Sequence, residues 1–137
     1  MRIVVGPEPS MDLKQAELQR HREILSRFVA RVASEGAEPR RLTMILRSAE
    51  SSAAEALIAI SQDLCRAGIA AKVVVAKLEP DDALRQLFGS LSRLSPHEPA
   101  KQLIRWARNP RLLDAHEQVI YGAAMCWSGD AMRRFAP

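Results

Sequence analysis

The segment Asp114-Ala115-His116-Glu117-Gln118 places an imidazole two residues after a carboxylate and two residues before an amide. On a β-strand, where side chains alternate between faces, Asp114, His116 and Gln118 share one face. A carboxylate beside an imidazole fixes its tautomer and raises its pKa, and such an imidazole serves as nucleophile or general base. The same parts also make a hydrogen-bonded structural histidine at a sheet edge, and no complete second motif in the chain turns the balance toward catalysis.

A second set of residues carries charge. In AKQLIRWAR (residues 100–108), Lys101, Arg105 and Arg108 fall at i, i+4 and i+7, and Arg111 follows. Read as a short helix, this segment presents a basic stripe suited to anions, including nucleic-acid phosphates. A solvated helix face is the commoner use of such a pattern. From residue 85 onward eight Lys or Arg stand against four Asp or Glu, so the stripe has little local neutralisation. No helix-turn-helix, aromatic platform or zinc finger supports sequence-specific reading.

A third candidate is Ser48 with Glu50 and Arg47 in LRSAESSAAE. The turn from a parallel strand into a helix is where α/β folds place anionic ligands. Neither GxGxxG nor GxxxxGK[ST] occurs there, so capping by Ser48 or Ser51 is the plainer reading. The two cysteines, Cys65 and Cys126, form no CxxC pair and have no histidine at zinc-ligand spacing. They are expected as buried, reduced thiols, with no metal and no cofactor.

These residues need elements to position them. Leu18, His21, Leu25, Phe28 and Val32 recur at spacings of three and four, which predicts a long N-terminal helix over residues 11–35. That helix either covers a sheet or pairs with its copy in a second subunit. Residues 42–46 and 70–76 read as strands, and the Ala- and Leu-rich segment between them as a helix stopped by Gly68. Strand, helix and strand within residues 42–76 make a βαβ unit with parallel strands. Val73, Val74 and Val75 are consecutive, which predicts burial on both faces. A further helix over residues 81–92 turns Leu84, Leu87, Phe88 and Leu91 inward. Residues 111–132 read as a strand, a turn near Gly122 and a second strand, with a helix through HEQVIYGAAMCW as the competitor.

This order of elements resembles one half of the phospholipase D superfamily, whose HxKxxxxDxxxxxxGSxN motif follows a comparable βαβ unit. The resemblance spans residues 42–132. His116 matches the family's nucleophilic histidine. Gln118 stands where the phosphate-binding lysine belongs, Ala123 where the aspartate belongs, and Gly129-Asp130 replaces Gly-Ser one residue early. The resemblance implies that two such motifs meet in one site, so a chain with a single motif would dimerise. Loss of the lysine removes a positive charge from the phosphoryl oxygens, which implies a degenerate, non-catalytic member.

At 137 residues the chain suits one domain, residues 1–137, and 47% hydrophobic with 26% charged residues is ordinary for a globular protein. The apolar run in MRIVVG is too short for a signal peptide, and no run approaches the ~18 residues of a membrane span, so no membrane partner is expected. The sequence thus predicts a cytoplasmic α/β domain: a small, mostly parallel sheet with a central βαβ unit, helices on both faces, a long N-terminal helix and a C-terminal β-hairpin. The expected function is a non-catalytic interaction or regulatory module, homodimeric and bound to a protein partner. The alternatives are a phosphodiesterase-like hydrolase using His116 across a dimer, and nonspecific binding of nucleic acid or another polyanion through Lys101, Arg105, Arg108 and Arg111.

Overall fold

Apolar spacing dictates the first element. In the computed structural model, which describes residues 9–35, 40–107, 117–122, 125–128 and 131–134, helix α1 runs Pro9–Glu35. His21, Leu25, Phe28 and Val32 are buried in a row, and Leu18 packs partly against the same core. The helix therefore covers the sheet with the face its sequence marks as apolar.

The βαβ unit follows. Strand β1 (Arg41–Leu46) and strand β2 (Ala70–Val75) pair in parallel, with Met44 in register with Val73. Between them the expected single helix is two: α2 (Ser52–Ala59) and α3 (Ser61–Arg66), broken at Ile60. The Ser61 hydroxyl donates to the Ile58 carbonyl at 3.0 Å, satisfying an acceptor at the break. Gly68, at φ +72°, ends α3. Its N–H donates to the Cys65 carbonyl and the Ile69 N–H to the Leu64 carbonyl, the paired bonds of a Schellman motif.

Helix α4 (Asp82–Leu94) is capped by the Asp81 carboxylate, which accepts from Leu84 N–H at 2.9 Å. Next, the expected helix over residues 100–108 proves to be only a turn, α5 (Ala100–Leu103). The chain then becomes strand β3 (Ile104–Trp106), parallel to β2 with Ile104 opposite Val73. Pairing with β2 outweighs a short run of helical spacing, and Ile and Trp both suit a strand.

Strands β4 (Gln118–Tyr121) and β5 (Met125–Ser128) are antiparallel on either side of Gly122, whose φ of +64° favours glycine. The strand reading of this region therefore holds over the helical one. A strand that the sequence does not suggest, β6 (Ala131–Arg134), pairs with β5. The expected start of the hairpin at residue 111 lies outside the described residues.

Among the described residues the sheet has six strands in the order β3-β2-β1-β4-β5-β6. Of its five pairings, β1–β2 and β2–β3 are parallel and the other three antiparallel, so it is mixed, not mostly parallel. The expectation of helices on both faces also fails among the described residues. Leu42, Met44, Leu46, Ala71, Val73, Val75, Val119, Tyr121 and Trp127 join residues of α1, α2, α3, α4 and α5 in one core cluster on one face. On the other face, Thr43, Ile45 and Val74 are only half-buried and Lys72 is exposed. The three consecutive valines are therefore not buried on both sides; Lys72, two residues before Val74, marks that face as outward.

Where α1 meets β4 and β5, the His21 ring stands edge-on to Trp127 at 4.3 Å and Phe28 edge-on to Tyr121 at 5.4 Å. His21 Nδ1, Tyr121 Oη and Trp127 Nε1 are buried there without a hydrogen-bond partner among the described residues. Each such atom costs about 1–3 kcal/mol. Full burial of Leu25, Phe28 and Val32 contributes about 1.5–3 kcal/mol apiece, in addition to the aromatic contacts, so the contact closes in spite of them.

Candidate functional site

Only part of the expected site falls among the described residues. His116, Asp114, Arg108 and Arg111 lie outside the described residues. Gln118 is half-buried on the helix-free face, in register with Ile45 of β1 and Ser128 of β5. Lys101 and Arg105 do not share a helix face, because Arg105 belongs to β3. In β3, Ile104 is level with the core residue Val73, so Arg105, level with Val74, sits on the helix-free face. Lys101 stays on the helix side, beside α4.

The turn from β1 into α2 is filled by a carboxylate of the chain itself. Glu117 accepts from Arg47 N–H at 2.9 Å through one oxygen and from the Ser51 hydroxyl at 2.9 Å through the other. Ser51 is the N-cap of α2, accepting from Ala53 N–H, and Ser48 Oγ accepts from Glu50 N–H. Ser51 thus caps α2, Ser48 closes the turn before it, and Glu117 supplies the negative charge that a helix N-terminus favours. The neighbouring cleft, between Ser48, Glu50, Lys77, Glu79 and Asp81, measures about 30 Å³, room for a water or two. Lys77 pairs with Glu79 at 3.0 Å, and Glu50 and Asp81 leave this end of the parallel strands acidic.

A larger cleft opens at the β3 edge. Leu78, Leu84, Phe88, Ala100 and Ile104 line a volume of about 340 Å³, with Arg85 and Lys101 at its rim. Leu78 and Phe88, each 39% exposed, lie together on this cleft, so their apolar surfaces form one patch. Phe88, expected to turn inward, instead faces this cleft. Trp106, 48% exposed, stands on the same edge strand and donates from Nε1 to the Ala76 carbonyl at 3.2 Å. Beyond β3 no described strand pairs, so its outer N–H and C=O groups face away from the sheet. The sequence pattern conceals this site, because the edge strand sits inside a run of helical spacing.

The cysteines divide. Cys126 is buried as expected, whereas Cys65 is exposed on α3, its thiol 3.8 Å from the Arg93 carbonyl. Among the described residues no group of three or more His, Cys, Asp or Glu side chains is placed to hold a metal. No described helix is long and apolar enough to cross a membrane. Comparison with protein-family models, with curated proteins and with solved structures finds no match to this chain.

Proposed function

We propose that the protein is a non-catalytic interaction module whose partner adds an extended segment to the β3 edge of the sheet. The observation that carries this reading is the cleft, which lies alongside an edge strand with no described neighbour and keeps Leu78 and Phe88 exposed. A strand added to β3 sends alternate side chains to opposite faces. One set falls on the helix side, into the apolar cleft. The other falls on the helix-free side, beside Arg105. The complementary segment therefore alternates apolar with acidic residues.

The same alternation argues against a second copy as the occupant. Isologous antiparallel pairing of two β3 edges centred on Arg105 sets guanidinium opposite guanidinium, which is destabilising. Helix α1, the other route to self-association, has its apolar face on the sheet.

The test is fluorescence anisotropy with a short labelled peptide alternating valine and aspartate. Phe88→Ser is expected to weaken binding by at least about tenfold, or ~1.4 kcal/mol, and His116→Ala to leave it unchanged. Undiminished binding by Phe88→Ser contradicts the reading, as does a wild-type phosphodiesterase activity that His116→Ala abolishes.

A further inference from the structure

The helix-free face of the sheet carries a second feature, which shares Arg105 with the proposed peptide edge and otherwise lies apart from the cleft. Arg41 on β1, Lys72 on β2 and Arg105 on β3 all belong to this face and are all exposed. Lys72 is level with Thr43, two residues beyond Arg41, and Arg105 is level with Val74, two residues beyond Lys72. Each step thus moves one strand across and two residues along. Strands lie about 4.8 Å apart and rise about 3.3 Å per residue, so the cations form a straight diagonal with about 8 Å between successive Cα atoms.

Among the described residues no acidic side chain interrupts the diagonal. The described positions of this face on β1, β2, β3, β4 and β5 include no Asp or Glu. Among the described residues, none of the three cations is in an ion pair. Between them the relief is low, since Thr43, Ala70 and Val74 are small. A shallow groove of about 410 Å³ runs past Arg41, Thr43, Ala70 and Lys72 to Ile120. A face whose described positions on these strands carry no acid, with a line of cations, suits a regular polyanion.

We propose that this face binds the phosphate backbone of double-stranded nucleic acid through Arg41, Lys72 and Arg105. The choice of duplex over single strand rests on the residues between the cations. Single-strand binders add aromatic platforms on which bases stack, and the described positions of this face have none. With no described side chain of this face placed to read base edges, binding is independent of sequence. Its strength falls in the nonspecific range, about 10⁻⁴ to 10⁻⁶ M.

The experiment measures binding of a fluorescein-labelled DNA duplex across a salt series. Three phosphate contacts give a plot of log K against log salt with a slope of about −3. Lys72→Ser is expected to reduce that slope by about one, and Arg41→Ser/Lys72→Ser/Arg105→Ser to abolish binding. Lys101→Ser, on the helix side, and Phe88→Ser, in the cleft, leave both slope and affinity unchanged. Exposed substitutions of this kind alter folding little, and circular dichroism of each variant checks that. A flat salt response overturns the proposal. So does an equal effect of Lys101→Ser and Lys72→Ser, which would trace binding to overall charge. Tighter binding of a single strand, or displacement of the duplex from Phe88→Ser by polyglutamate at equal charge, overturns the choice of ligand. Because Phe88→Ser reports on the cleft alone, failure of this proposal and of the interaction reading are distinguishable.

Discussion

Burial beneath α1 holds His21 neutral. Loss of solvation, and secondarily the positive charge of Arg20, lower its pKa from 6.5 to about 4. The unfolded chain therefore takes up the proton first. Stability is fully present above about pH 6.5 and declines as pH falls toward 4, where the folded state also protonates and the loss levels off. The shift corresponds to at most about 3 kcal/mol. Urea denaturation at pH 7 and pH 4 should show a loss of that order, and His21→Leu should remove most of it; an unchanged pH dependence in the variant would place the cause elsewhere. The inward position of His21 is legible in the sequence, because it falls in line with Leu25, Phe28 and Val32. That of Phe88 is not. At about 100° per residue it stands a quarter-turn from Leu87, and Leu87 and Leu91, both fully buried, mark the true inner line of α4. His116 draws attention by its neighbours in sequence, yet the adjacent Glu117 has a structural task, bridging Arg47 and Ser51.

At the scale of elements, the βαβ unit is readable because run lengths, Gly68 and the flanking apolar segments agree. Gly68 is needed for its positive φ. A Cβ there meets the Arg40 guanidinium at 3.4 Å, close to ordinary contact, so backbone conformation and not crowding decides the cost. Gly68→Ala should destabilise the fold by about 1 kcal/mol, read as a lower urea midpoint at unchanged slope. A neutral substitution would mean that the α3 terminus relaxes freely. Residues 104–106 elude sequence reading for a physical reason. Three residues give no usable period, and the partner that makes them a strand, Val73–Val75 of β2, is distant in sequence. Ile104 and Trp106 are the available signal, since both side chains favour strands.

Across the whole molecule, the layering follows from which face of each strand is apolar. Lys72 and Arg105 announce an outward face, and with the described helices gathered on the other side the sheet keeps one face and one edge for contact. The class of fold is legible in the sequence; its one-sidedness is not, because three adjacent valines look alike until their partners are known. The proposed interaction depends on the β3 edge and the cleft beside it. Its most direct test is a titration of ¹⁵N-labelled protein with the peptide alternating valine and aspartate, followed by amide chemical shifts. Shifts should concentrate at Leu78, Leu84, Phe88, Lys101 and Ile104–Trp106, with α1 unchanged. Shifts confined to α1, or none at peptide concentrations that saturate the anisotropy signal, would contradict it.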